Sequence, residues 1–235
     1  MQVRAKRISV IIPTFQEGRY LANLLSRVVE INPRVEIIVV DSSSGDNTIK
    51  IAKQFTEKVY SMKERGISKA KNHGACQANG DILIFLDADV KPPADFVEKV
   101  LDAFSDLTVV GATCHIMPEH PTFGEKMFFQ FYNLLLLICS RFKPHSRGEF
   151  LAVKRTSFLA VNGFNETMPC LEDHELARRL SKLGKFAFIR DLIVQESLRR
   201  FRKLGFFRVV GTWITDYVSF TLRGKPVSTV WSSVR

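Results

Sequence analysis

The run Ile82-Leu83-Ile84-Phe85-Leu86, followed at once by Asp87-Ala88-Asp89, constrains this chain more than any other stretch. Five consecutive apolar residues introduced by Gly80-Asp81 spell a buried strand, and a strand of that kind needs helices packed on its sheet. The flanking sequence supplies them. Residues 8–12 are a β-branched run ended by Pro13-Thr14, and Leu21, Leu24, Leu25, Val28 and Val29 follow at helical spacing. Residues 36–40 form another apolar run, closed by Asp41-Ser42-Ser43-Ser44-Gly45-Asp46-Asn47-Thr48, after which Ile49 and Ala52 open a further helix. Val59-Tyr60 is a short strand, and residues 68–78 a helix on which Lys69 and Lys71 face outward. Alternating strands and helices predict an α/β fold with a mostly parallel, Rossmann-like sheet flanked by helices and joined by right-handed crossovers.

Beyond Pro92-Pro93 the pattern predicts a helix over residues 94–104, strands over 109–112 and 150–153, and a short helix from Lys154-Arg155 to Gly163. Residues 127–139 are apolar except for Gln130 and Asn133. They are too few to cross a bilayer, which takes roughly 20, so the segment is either a buried helix or an interfacial one. In the helix that contains Glu172-Asp173-His174-Glu175, Leu176 and Leu180 share one face.

Open α/β sheets bind ligands beyond the carboxyl ends of their strands, and Mg²⁺ or Mn²⁺ takes carboxylate oxygen while bridging phosphates. Asp87 and Asp89 therefore read either as a site for a metal-bound nucleoside diphosphate or as a plain strand end capping a turn. Asp41, at another strand's carboxyl end and with little capping work available, is placed to accept from a base N–H or a ribose hydroxyl. Asp46 and Thr48 read as helix caps. Of the acids near residue 173, Glu175 suits the helix dipole, whereas Glu172-Asp173 either does the same or aims one carboxylate into a cleft as a general base.

Lys and Arg total 34 against 24 Asp and Glu, and the resulting +10 favours anionic partners. The basic residues gather beside apolar helix rather than along a groove, so nucleic acid is not expected. Cys76, Cys114, Cys139 and Cys170 are scattered without metal-ligand spacing and read as buried thiols in a reducing compartment. Met1-Gln2-Val3-Arg4-Ala5-Lys6-Arg7 leads straight into a strand-like run, so no signal peptide is expected and the cytoplasmic side is the expected location.

Taken in order, Ile11-Ile12-Pro13-Thr14-Phe15-Gln16-Glu17, Val39-Val40-Asp41-Ser42, Ala70-Lys71-Asn72, Phe85-Leu86-Asp87-Ala88-Asp89, Gly148-Glu149-Phe150 and Glu172-Asp173 resemble the family 2 glycosyltransferases of the GT-A fold. The resemblance covers most of residues 8–190. It implies an inverting, metal-dependent transferase that takes a sugar from a UDP-, GDP- or dTDP-sugar. It places Pro13, Thr14, Phe15, Glu17, Asp41, Lys71 and Ala88 around the nucleotide sugar, Asp87 on the ribose, and Asp89 on an Mg²⁺ or Mn²⁺ ion at the diphosphate. Asp173 would deprotonate the acceptor, with Gly148, Glu149 and Glu172 on the acceptor side. The chain departs from the family at Lys71, where the family often carries Arg, and Lys lacks that residue's planar bidentate fork. It departs again in Val194-Gln195-Glu196-Ser197, where the family often has a metal-ligating His. Glu196 either replaces that His or pairs with Arg199 or Arg200.

On this reading residues 1–195 are the GT-A domain, with a nucleotide-binding half (1–92) and an acceptor and catalytic half (93–195). Residues 196–235 are a basic amphipathic helical arm. Arg199-Arg200-Phe201-Arg202-Lys203 and Phe206-Phe207-Arg208 precede Val209, Val210, Trp213, Ile214, Tyr217 and Val218 at helical spacing, a composition suited to an anionic membrane surface or to packing on the domain. A peripheral enzyme with a lipid-linked acceptor, a polyprenyl phosphate or glycolipid, is the leading expectation. A catalytically silent nucleotide-sugar binder is the alternative from another class. A nucleotidyltransferase fits less well, because Pro13-Thr14-Phe15-Gln16-Glu17 is not the Gly-rich basic loop that class carries.

Overall fold

The computed structural model describes residues 6–140 and 144–229. Residues 1–5, which carry most of the N-terminal stretch behind the signal-peptide expectation, lie outside the described residues, as does the arm beyond residue 229. Along the chain come β1 (Ile8–Thr14), α1 (Leu21–Ile31), β2 (Glu36–Asp41), α2 (Thr48–Ala52), β3 (Val59–Ser61), α3 (Ile67–Gln77), β4 (Ile82–Leu86) and β5 (Val90–Lys91). They continue with α4 (Phe96–Ala103), β6 (Val109–Pro118), α5 (Phe123–Cys139), β7 (Phe150–Lys154), α6 (Arg155–Ala160), α7 (Glu172–Leu180), β8 (Lys185–Glu196), α8 (Arg199–Leu204) and α9 (Phe206–Arg223).

The strands form one sheet in the order β3-β2-β1-β4-β7-β6-β8-β5. Every residue of β4 is buried, because the strand is central and covered on both faces. Side chains alternate across the sheet: Val10, Ile12, Ile84 and Leu86 join Leu21, Leu24 and Leu25 of α1 in one core, while Ile11, Leu83 and Phe85 join Ala70 of α3 and Leu176 and Leu180 of α7 in the other. Burying each such leucine stabilises the fold by roughly 1.5–3 kcal/mol. Helix α3 lies close on the sheet because residue 74 is glycine; a Cβ there would meet Ile11 Cγ2 at 2.5 Å.

The expected parallel pairing holds for β1 with β2, β1 with β4, β2 with β3 and β6 with β8. The second half adds a twist of topology: β7 runs antiparallel to both β4 and β6, and β5 antiparallel to β8. This reversal matters for the site. With Leu86 opposite Phe150, the amino end of β7 meets the carboxyl end of β4, and Asp87 N donates to Glu149 O at 3.4 Å. Pairing of Pro118 and Val90 with Glu196 brings the end of β8 to the same edge.

Helix α5 is neither wholly buried nor wholly interfacial. Thr122 and Glu125 form a capping box at its start, and buried Asn133 accepts from Ile116 N at 3.2 Å and donates to Ile116 O at 2.8 Å, which explains the polar break in the apolar run. Its outer face leaves Phe123, Met127, Phe131 and Leu134 exposed. All four cysteines are free; Cys114 and Cys170 are buried as expected, Cys139 is half-buried, and Cys76 is exposed, because it falls on the outer face of α3.

Candidate active site

The carboxyl ends of β1, β2 and β4 open into a cleft of about 1120 Å³. Pro13, Thr14, Phe15 and Glu17 line it from the end of β1, and Asp87, Ala88 and Asp89 from the end of β4. A second, inner pocket of about 150 Å³ adjoins it, with Asp87, Ile67 and Pro169 in the walls of both. Gly148, Glu149, Glu172 and Asp173 line this inner pocket, so Asp173 faces the same space as Asp87, although the two are far apart in sequence. The turn that delivers Asp173 is strained: Leu171, just before α7, has φ +59°, a left-handed conformation that costs a non-glycine residue about 1–3 kcal/mol. His174 Nδ1 stands 3.2 Å from Asp173 Oδ2.

Three expected site residues sit behind the walls. Asp41 is fully buried and accepts from Thr14 Oγ1 at 2.9 Å, Ser44 N at 2.8 Å and Ser44 Oγ at 2.6 Å. Contrary to the sequence reading, it has capping work, because the Ser-rich loop folds back over its strand end, and Ser42 reaches the cleft in its place. Lys71 does not face outward. It is 1% exposed, because α3 turns it under the inner pocket, where its Nζ lies 2.9 Å from Glu172 Oε1. Burial lowers the Lys71 pKa, but Glu172, Asp87 and Asp173 outweigh it and the net shift is upward.

Glu196 pairs with neither Arg199 nor Arg200. Arg147 lies between two acids, its Nη2 at 2.9 Å from Glu149 Oε1 and 3.1 Å from Glu196 Oε1, because the β4/β7 and β6/β8 registers bring all three together. Burial opposes ionisation of Glu149, yet Arg147 holds it down at about 2; burial and the neighbouring Glu149 push Glu196 well above the usual carboxylate range. Arg199 instead spans the cleft wall, bidentate on Glu17 at 2.6 and 2.8 Å, with its Nε 2.8 Å from Asp89 Oδ2.

Burial raises Asp87 to about 8 and Asp89 also upward, Arg199 only partly countering the latter. Two half-buried carboxylates at one strand end, one already holding a guanidinium, form a hard oxygen donor set that fits a small divalent cation. Among the described residues no group of three or more His, Cys, Asp and Glu would hold a metal unaided.

The arm is part of the site. Trp213, Asp216 and Tyr217 of α9 line the inner pocket with Asp173, and Tyr132 of α5 joins them, its ring stacked on Trp213 with centroids 6.1 Å apart. The sequence reading missed these residues and Arg147; the charged pair Arg147-Gly148-Glu149 just before a strand was the one signal available for the latter. No described helix is long and apolar enough to cross a membrane.

A mixed sheet with an acidic motif beyond β4, a wide cleft on its nucleotide side and a carboxylate pocket beside it define a GT-A fold. Comparison with known proteins agrees. The sequence pattern described as Glycosyl transferase family 2 matches residues 9–158, and the chain belongs to that family. It is 33% identical over 230 residues to the glycosyltransferase AglE of Haloferax volcanii, covering 90% of this chain and 76% of that one. Dolichol-phosphate mannosyltransferase of Pyrococcus furiosus is 31% identical over 137 residues, 55% of this chain and 38% of the relative. A mannosyltransferase from Pyrobaculum calidifontis, solved in complex with GDP-Man and Mn²⁺, superposes with a TM-score of 0.69 at 25% identity over 83% of this chain. The chain spans 57% of that structure's length and well under half of the Pyrococcus relative's.

Proposed function

We propose that the protein is an inverting glycosyltransferase that moves a sugar from a nucleoside-diphosphate sugar, held in the wide cleft, to an acceptor in the inner pocket. The observation that carries this reading is the shared wall at Asp87: the donor cleft and the pocket holding Asp173 meet there, so a base on one side can face a sugar carbon on the other. Pro13, Thr14, Phe15, Glu17 and Ala88 contact the nucleotide, Asp87 the ribose, and Asp41 and Lys71 support them from behind. Asp89 holds Mg²⁺ or Mn²⁺. When bound, the ion offsets charge on the departing diphosphate. Asp173 takes the acceptor proton, and a single base suffices for one displacement. Residues 1–92 form the donor half and 93–195 the acceptor half, and the arm lines the wide cleft with Arg199 and Arg200 and the inner pocket with Trp213 and Tyr217.

The test is a melting-temperature screen of UDP-, GDP- and dTDP-sugars with and without Mn²⁺ or Mg²⁺. One base with one metal is expected to stabilise by about 2.7 kcal/mol at a hundredfold excess over Kd, a shift on the order of 5–10 °C for a chain this size. Asp89→Ala should abolish the metal dependence; an unchanged dependence would remove Asp89 from the metal site. Donor stabilisation with no product from any acceptor pool would favour a silent binder.

We further propose that the enzyme is peripheral on the cytoplasmic face of the membrane and takes a lipid-linked acceptor. Phe207, Ile214 and Leu222 of α9 are exposed, as are Phe123 and Phe131 of α5. Of the arm's arginines, Arg199 is committed to Glu17 and Asp89, and Arg202 to Glu125, so the apolar face rather than these two charges carries the contact. Flotation with phosphatidylglycerol vesicles should fall at least several-fold in a Phe131→Asp, Phe207→Asp double variant. Equal flotation of variant and parent would count against a membrane role for this face.

A further inference from the structure

We infer that the inner pocket takes a pyranose ring, so that the atom glycosylated is a sugar hydroxyl and not the phosphate oxygen of a polyprenyl phosphate. The inference rests on the transferase reading above and specifies its acceptor.

The pocket walls carry the case. Trp213, Tyr217 and Tyr132 supply aromatic surface, and Glu149, Glu172, Asp173 and Asp216 supply carboxylates. Aromatic rings take the apolar C–H face of a sugar, while carboxylates, which only accept, take its hydroxyl protons. A phosphate monoester is ionised at neutral pH, has no proton to donate, and would meet like charge from these acids. The cations nearby are already engaged: Lys71 pairs with Glu172, and Arg147 with Glu149 and Glu196. Arg147 nevertheless keeps one buried donor, Nη1, without a partner. Since Glu149 offsets the charge of this guanidinium, the remaining N–H suits a neutral ring oxygen or hydroxyl better than a dianion.

The chemistry agrees. A phosphate oxyanion is a nucleophile without assistance, whereas a hydroxyl must lose its proton, which is the task a carboxylate at position 173 can perform. In the step, the acceptor oxygen bonds to the anomeric carbon as the bond from that carbon to the diphosphate oxygen breaks. The bonding electrons leave with the nucleoside diphosphate, and the hydroxyl proton passes to Asp173.

The test measures release of nucleoside diphosphate from the stabilising donor, with the whole chain, in the presence of octyl glucoside, octyl mannoside or octyl galactoside, or of farnesyl or undecaprenyl phosphate. At least one glycoside should stimulate release and neither phosphate should. Trp213→Ala should raise the glycoside KM about tenfold with kcat and donor KM held, and Trp213→Phe should restore most of it. Because Trp213 also packs on Phe201, with ring centroids 5.3 Å apart, saturation-transfer NMR on the unaltered protein supplies a measurement that needs no variant. Saturation should reach the glycoside ring protons and should survive excess farnesyl phosphate. Stimulation by a phosphate and by no glycoside overturns this inference and leaves the transferase reading standing. A donor that neither binds nor turns over overturns both.

Discussion

Asp173→Asn is expected to lower kcat by about 10²–10⁴-fold while donor binding stays intact, the range a positioned general base contributes. The carboxylate lines the inner pocket, which shares its Asp87 wall with the wide cleft, so an acceptor seated in that pocket can give it a proton. Asparagine keeps the size of the side chain and a hydrogen-bonding oxygen but accepts no proton, so the acceptor would have to lose its proton to water. Metal-dependent thermal stabilisation by the donor should therefore match the parent, and product formation should not. Two results would argue otherwise. Transfer at the parental rate would exclude Asp173 as the base, and lost donor stabilisation would show that the residue holds the pocket together instead. Because the residue lies beside the Lys71–Glu172 pair and strained Leu171, an Asp173→Asn protein with parental melting temperature is the necessary control.

Much of this architecture was legible in the sequence because the relevant signals are local. The uninterrupted run of β4, the β-branched run of β1 and the leucine spacing of α1 are set by periods of two and 3.6 residues, and each formed the element its pattern implied. The acids at 87, 89 and 173 likewise announce themselves by position at element ends. The rest depends on contacts that no local period records. That β7 runs antiparallel to β4 is a matter of how the chain returns after α5, and only this direction sets Glu149 beside Asp87. Glu196 reads locally as a neighbour of Arg199, yet strand register hands it to Arg147, 49 residues away. Residues 185–196 carry no clean strand period, because β8 bulges against β6 between Cys114 and His115. Trp213 and Tyr217 read as one face of an amphipathic arm. Their place in the inner pocket emerges only when α9 packs along α5, with Phe206 on Phe128 and Trp213 on Tyr132.

Lys71→Met is expected to destabilise the fold by about 3–5 kcal/mol, the usual consequence of removing one partner from a buried ion pair. The methionine fills nearly the same volume, so the loss is electrostatic rather than a cavity. What remains is Glu172, buried at 5% exposure beside Asp87 and Asp173, with no cation to offset its charge. A fall in melting temperature on the order of 10 °C follows for a chain of this length. Adding Glu172→Gln should recover a substantial part of it, because the uncompensated charge is then gone; that coupling is what separates a buried pair from a packing defect. The pair also bears on why this position departs from the Arg often found in the family. If Lys71 contacted the nucleotide directly, Lys71→Met would weaken donor affinity with little change in stability, and the second substitution would recover nothing. With Lys71 at 1% exposure beneath the pocket floor, the opposite pattern is expected: a large stability loss, partial recovery in the double variant, and donor affinity close to the parent wherever the single variant remains folded.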